Sequence, residues 1–190
     1  MNATACCFAS AMADENAEIA RGLRRRNPDL LDRLIEKYQH RLLRYLVHLT
    51  GRRELAEDVF QDTWIRVFER GAQYDGRHDF GTWLFSIARH LVIDRERRRR
   101  ETAVDDPAPL VAADEPSAFD LAAGREQSGR ILAAMRHLSA EHREALVLRF
   151  QEDMSLEEIG RVTGAPLSTV KSRLYRGLTA LAPWIKGEML

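Results

Sequence analysis

An all-α protein made of two small helical bundles is what the 190-residue sequence predicts. Three observations lead there. Apolar residues recur at three- and four-residue steps over several long stretches, and nothing alternates with period two over a useful length. Glycines gather at the ends of those stretches and in the connection between them. A segment holding Pro107, Pro109 and Pro116, rich in acids and poor in core formers, then parts the chain in two.

Residues 1–28 show no sustained apolar period and are expected to form a mobile tail, with a short helix within it as an option. From Leu31 a stripe of Leu34, Ile35, Tyr38, Leu42, Tyr45, Leu46 and Leu49 marks one buried helical face, ended by Gly51. A second helix is expected from Glu54 to Glu69, burying Ala56, Phe60, Trp64, Val67 and Phe68. A third runs from Thr82 to about Arg97, with Leu84, Ile87, Ala88, Leu91 and Val92 inward. The connection Gly71 to Gly81 holds three glycines and reads as a loop. These elements make a first domain over residues 29–100. Residues 101–127 read as a flexible acidic linker. A second domain over 128–186 is expected, its helices lying near 119–137, 140–151, 155–163 and 168–185.

The totals exclude some functions and point to others. Arg and Lys balance Asp and Glu at 29 each, so net charge alone suggests no partner. The distribution says more. Arg89 to Arg100 carries six arginines against Asp94 and Glu96, and Ile159 to Gly187 carries five basic residues and no acid. Between them, Glu101 to Glu126 carries seven acids and only Arg125. Two basic surfaces separated by an acidic connector suit a nucleic-acid binder. Cys6 and Cys7 are the only cysteines, too few for a disulfide scaffold or a zinc site. They read as unpaired thiols near the N-terminus, with a redox or metal-sensing role as the alternative. No apolar run approaches the roughly 20 residues of a membrane span, and the first dozen residues lack a basic start for a signal peptide. A cytoplasmic protein without membrane insertion is expected. The six histidines show no metal-ligand spacing, and neither a phosphate loop nor a nucleophile elbow appears. Neither enzyme chemistry nor a metal or other cofactor is therefore expected.

The second half carries a motif. Ser155-Leu-Glu-Glu158 fits a capping box at a helix start. Gly164 suits the left-handed turn after that helix, and Ser168 is a plausible N-cap for the next. Gly160, Gly164 and Val170 place a small residue in the first helix, a glycine in the turn and an apolar residue in the second. That is helix-turn-helix spacing. On the last helix Val170, Leu174, Leu178 and Leu181 should face inward. Thr169, Ser172, Arg173 and Arg176 should face out beside Lys171, offering charge to phosphates and forked donors to guanine edges. A merely solvated basic face is the alternative.

In the first half, Glu57, Asp58, Gln61, Asp62 and Glu69 share an outward face that composition alone would leave as a solvated surface. Tyr74, Phe80, Trp83 and Phe85 precede Arg95-Glu-Arg-Arg-Arg-Arg100, a set able to stack on unpaired bases while cations hold phosphates. Trp83 fits the core equally well.

Three segments together resemble a known family. Ala56-Glu-Asp-Val-Phe-Gln-Asp-Thr-Trp-Ile-Arg-Val-Phe68 resembles the sigma-factor region two helix that docks on the RNA polymerase clamp. Phe80-Gly-Thr-Trp-Leu-Phe-Ser-Ile-Ala-Arg-His-Leu-Val-Ile-Asp-Arg95 resembles the following helix, which meets the minus-ten element. Leu138 to Phe150, Ser155 to Gly160 and Ser168 to Arg176 resemble region four, reader of the minus-thirty-five element. Their order and spacing are those of the extracytoplasmic-function (ECF) subgroup of the sigma-70 family.

The resemblance implies a factor that brings core polymerase to particular promoters and helps melt them. Asp58, Gln61, Asp62 and Trp64 would meet the polymerase. Tyr74, Arg77, His78, Phe80, Trp83, His90, Asp94, Arg97 and Arg98 would hold the melted minus-ten strand. Ser168, Thr169, Lys171, Ser172, Arg173 and Arg176 would read the minus-thirty-five duplex. The beta-prime clamp and beta flap of core polymerase and promoter DNA are the implied partners, and the free protein would be a monomer. An anti-sigma factor is a further partner, suggested by the hinge-like linker. His90 stands where the family often has asparagine, which bears on base preference. The N-terminal tail is longer than the subgroup needs, leaving Met12 as an alternative start to Met1. A stand-alone helix-turn-helix regulator is the competing reading, and it leaves the first-half resemblance unexplained.

Overall fold

The computed structural model describes residues 3–102, 134–135 and 137–185, with side chains described for residues 12–101, 134–135 and 137–183. Regular structure among the described residues is entirely helical. The helices are α1 (Ala3–Arg24), α2 (Pro28–Thr50), α3 (Arg53–Arg70), α4 (Phe80–Thr102), α5 (Ala140–Phe150), α6 (Leu156–Thr163) and α7 (Leu167–Ile185), with one 3-10 turn at Gly71–Gln73.

Local chemistry sets the ends. Asn27 caps α2 by accepting from the amides of Asp29 and Leu30, and Pro28 fills the first turn, where its missing N–H costs nothing. Gly51 closes α2 in the left-handed conformation and donates to Val47 O. At the start of α4, Asp79 Oδ1 accepts from Thr82 N at 3.2 Å. Ser139 caps α5.

The first half packs α2 against α3 and α4 around Leu42, Tyr45, Leu46, Val59, Val67, Leu84 and Phe85, all essentially sealed from solvent. The second half packs α5 and α6 against α7 around Leu146, Leu148, Ile159, Val162, Val170 and Leu181. The halves also dock on one another, α2 against α5 and α4 against α6.

Three expectations differ from the structure. The N-terminal segment, expected as a mobile tail, is helical from Ala3, and Ile19, Ala20 and Leu23 are buried on the first bundle. Phe68, expected inward, is 47% exposed, and so is Leu178, at 46%. Both follow a buried residue by four positions, and each four-residue step rotates about 40° around a helix with 3.6 residues per turn. Phe68 thus rotates out of the stripe formed by Ala56, Val59, Thr63 and Val67, and Leu178 out of the one formed by Val170, Leu174 and Leu181. The acidic linker beyond Thr102 and the helix near 119–137, apart from Ala134 and Met135, lie outside the described residues.

Candidate nucleic-acid interface

The loop between α3 and α4 stands on an aromatic cluster. Phe80, at the first position of α4, has its ring 5.5 Å from Tyr38 and 5.5 Å from Tyr74, both edge-on, and 5.8 Å from Trp83. Tyr74 and Trp83 lie 5.3 Å apart. Tyr74 donates from its hydroxyl to His78 O at 2.6 Å, closing the loop on itself. Burial and the nearby Asp79 carboxylate push the Tyr74 hydroxyl well above the ordinary phenol range, keeping it a donor. On the far side α1 supports the loop. Gly76 has φ +77°, and a Cβ there would come within 3.0 Å of Asn16 O.

This arrangement divides the sequence-predicted minus-ten residues into two kinds. Tyr74 and Phe80 are buried, so in this conformation their rings shape the platform rather than meet a base. Trp83 is half-buried at the edge of the cluster, with one part in the core and one part available outside. Arg77, His78, His90, Arg97 and Arg98 are exposed, and Asp94 is partly so. His90 Nδ1 lies 2.6 Å from Ser86 O, which fixes the ring on the outer side of α4. Arg97 pairs with Asp94 at 3.3 Å on the helix surface.

On α3, Asp58 and Gln61 are exposed and Asp62 is half-exposed. Arg95 of α4 pairs with both carboxylates. Trp64 is buried, with its indole N–H unpartnered among the described residues, so it supports this face from beneath and does not form it.

In the second half the helix-turn-helix geometry is complete. Ser155 Oγ accepts from Glu158 N, and Glu158 Oε2 accepts from Ser155 N at 2.7 Å, a capping box with both bonds formed. Gly164 takes φ +67° and donates to Gly160 O. A Cβ on Gly160 would lie 3.0 Å from Ala165 O, which is why that crossing needs a residue without one. Gly177 plays a similar part between α7 and α5, against Leu146. On α7, Ser168, Lys171 and Arg176 are exposed, and Thr169 and Ser172 are half-buried. Arg173 differs, since its guanidinium pairs with Glu141 of α5 at 3.0 Å and is only 18% exposed. Arg143 braces the turn before α5 by donating to Met135 O and Leu138 O.

Comparison with known proteins agrees with both halves. The Sigma-70 region 2 profile matches residues 34–102, and the Sigma-70, region 4 profile matches residues 128–181. SigL of Mycobacterium tuberculosis, an ECF RNA polymerase sigma factor, is 31% identical over 153 residues, covering 80% of this chain and 86% of SigL. The chain belongs to the ECF RNA polymerase sigma factors. Its place is in transcription initiation, as a DNA-binding regulatory factor, and the stand-alone regulator is not favoured. SigE of Mycolicibacterium smegmatis is 34% identical over 157 residues, 81% of this chain and 61% of SigE, so the chain spans about three fifths of that relative. SigW of Bacillus subtilis is 29% identical over 158 residues, 78% of this chain and 84% of SigW. The fold is shared with the sigma factor RpoE of Bartonella quintana, solved with the anti-sigma factor NepR, at TM-score 0.70 and 24% identity over 82% of this chain and 96% of that one. CnrH, solved with the cytosolic domain of CnrY, gives TM-score 0.63 at 20% identity over 93% of this chain and 98% of that one.

Within this sigma factor the structure adds residues that pattern reading missed. Ile65 is 55% exposed and sits one helical turn from Gln61 and Asp62 and two from Asp58, with the 47% exposed Phe68 one turn beyond Ile65. An apolar centre with a polar rim is the usual anatomy of a protein interface. Tyr175, 74% exposed, stands on α7 among Lys171, Ser172 and Arg176. Helical-wheel arithmetic places both Ile65 and Tyr175 on these outer faces, but attention to charge alone passed over them.

Proposed function

We propose that this sigma factor works in the cytoplasm, binding core RNA polymerase through the α3 face and promoter DNA through α4 and α7. Asp58, Gln61 and Asp62 form the charged rim of the polymerase contact around Ile65 and Phe68, and charges in such a rim chiefly govern specificity and encounter rate. Arg77, His78, Trp83, His90, Asp94, Arg97 and Arg98 line the path of the melted minus-ten strand. Tyr74 and Phe80 hold that path in shape. Ser168, Thr169, Lys171, Ser172 and Arg176 read the minus-thirty-five duplex, and Arg173 joins them once it leaves Glu141. Residues 29–100 and 128–186 act as the two working domains, with 1–28 and 101–127 flanking and joining them. An anti-sigma factor that holds the two domains would keep the protein silent. The observation that carries this reading is one chain holding two separate basic helical faces, with an apolar, acid-rimmed face on the helix before the first.

In vitro transcription with core polymerase, the purified protein and a promoter library tests it. Transcripts that need both protein and core, with shared elements near minus ten and minus thirty-five, are the expected result. A protein that protects a duplex site alone and leaves core inactive would overturn it.

A further inference from the structure

Arg173 is the member of the α7 reading set whose charge is already taken. It lies one helical turn from Thr169 and from Arg176, on the same side of α7. Its guanidinium turns instead to α5, where Nη2 stands 3.0 Å from Glu141 Oε1. The Arg173 side chain is 18% exposed and that of Glu141 63%, so the cation is the covered partner and the carboxylate the one in water.

Local chemistry puts the carboxylate there. Ser139 caps α5, and Glu141 occupies its first turn, where the partial positive charge of the helix start favours an anion. α7 crosses α5 one turn beyond Arg173, at Gly177, where a Cβ would come within 3.0 Å of Leu146 and 3.5 Å of His142 O. That crossing sets Arg173 beside the first turn of α5. α7 and the turn before it carry no acid of their own, so the anion at this face is contributed by α5.

A carboxylate and a guanine edge compete for the same donors. Each offers two acceptors to the planar guanidinium fork, the carboxylate through its oxygens and guanine through O6 and N7. A glutamate that steered Arg173 onto a base while staying paired would present the guanidinium on the outer face of α7. The structure shows the reverse, with the guanidinium drawn in against α5. Glu141 and DNA are therefore alternative partners. The exchange is within reach, because an ion pair with an exposed member is weak, and the carboxylate keeps water and the helix start when the arginine leaves.

We propose that Glu141 is an intramolecular stand-in for DNA, which holds Arg173 off the minus-thirty-five element until the duplex displaces it. Glu141 touches no base and acts through Arg173, as a positioning residue. It lowers the affinity of α7 for the duplex and shortens the time α7 stays there. The inference rests on the proposed role of α7 as the reader of that element.

A double-mutant cycle on the full chain bound to core polymerase tests this by fluorescence anisotropy. The probe is a fluorescein-labelled duplex carrying the minus-thirty-five element that transcription with the promoter library selects. Glu141→Gln keeps the shape of the side chain and removes its charge. It should tighten binding about two- to fivefold and slow dissociation. Glu141→Ala should tighten it as well. Arg173→Met should weaken binding, and in that background Glu141→Gln should leave affinity unchanged. Arg173→Gln serves the same purpose if the methionine variant folds poorly, as read by helical circular dichroism. Equal tightening with and without Arg173 would show a carboxylate that merely repels phosphates, and would overturn the exchange. Weakened or unaltered binding by Glu141→Gln in the parent would overturn it too, the first outcome marking Glu141 as a steering brace. Lys171→Ala and Arg176→Ala separate this from the broader reading. If neither weakens duplex binding, α7 is not the reader and the proposed function fails with the exchange. If both weaken it and Glu141→Gln does not tighten it, the exchange alone fails.

Discussion

Arg95 of α4 pairs with Asp62 of α3, and the same guanidinium reaches Asp58 at 3.5 Å. The helix proposed to hold melted DNA is thereby tied to the one proposed to hold polymerase. Asp58 is 68% exposed and Asp62 42%, so the pairs lie where water and salt screen them.

Arg95→Met should therefore lower stability by no more than about 1 kcal/mol, as measured by urea denaturation. A loss above roughly 2 kcal/mol would show that the pair is a structural brace rather than a surface contact.

The aromatic platform should be far less tolerant. Tyr74→Phe removes the bond to His78 O and should cost about 1 kcal/mol, while Tyr74→Ala empties a buried ring site and should cost about 3–5 kcal/mol. Arg77→Ala, on the exposed side of the same loop, should leave thermal unfolding in place and weaken binding to a single-stranded minus-ten oligonucleotide in the presence of core. Equal losses of stability for Tyr74→Ala and Arg77→Ala would contradict this division.

Alkaline pH should destabilise the first bundle. Burial raises the pKa values of Tyr38, Tyr45 and Tyr74 above the ordinary 10.0, and Asp79 (for Tyr38 and Tyr74) and Glu144 (for Tyr45) add to the rise. The unfolded chain ionises first, so the stabilisation is complete below pH 10 and is lost progressively as pH climbs beyond it. Tyrosinate absorbance from these three rings should appear together with the loss of helical circular dichroism. Ionisation of all three with helicity intact would refute the buried assignment.

The two glycines of the helix-turn-helix should fail in different ways. Gly164→Ala meets open space and suffers only from its positive φ, costing about 1–2 kcal/mol. Gly160→Ala presses its new methyl against Ala165 O, so the helix crossing must shift. Duplex binding should fall more for Gly160→Ala than for Gly164→Ala at matched stability, as read by fluorescence anisotropy with the isolated holoenzyme.

Phosphate contacts show in salt dependence. Arg97→Ala and Lys171→Ala should each reduce the slope of log affinity against log salt by about 1, whatever the promoter sequence. A substitution that changes base preference while leaving the slope unchanged would mark that side chain as a base reader.

How much of this was legible in the sequence depended on range. The cores of α2, α4 and α7 followed from periodicity, because a buried stripe repeats every three or four residues. The capping box at Ser155 and the turn at Gly164 followed from chemistry confined to a few neighbouring positions. The packing of α1 did not, since Ile19, Ala20 and Leu23 are too few to form a period and are buried through contacts distant in sequence, Leu23 lying against Gly71 and Ala20 against Gly76. Glu144 and Glu152 read as ordinary acids on a helix. Their burial depends on arginines about a hundred residues upstream for Glu152 and on Arg89 and Tyr45 for Glu144, and no local pattern encodes that pairing. Phe68 and Leu178 were misplaced for a geometric reason, because a run of i+4 steps precesses around the helix.

The close approach of Gly76 to Asn16 has a consequence for anyone retargeting this protein to a new promoter. The loop from Tyr74 to Asp79 is not an independent module that can be exchanged for a loop of another length or bulk. Its inner surface lies against α1, and a transplanted loop with a side chain at position 76 would press on Asn16 O and strain a backbone held at positive φ. The transferable cassette is loop and α1 together, two stretches of chain separated by some fifty residues that behave as a single part.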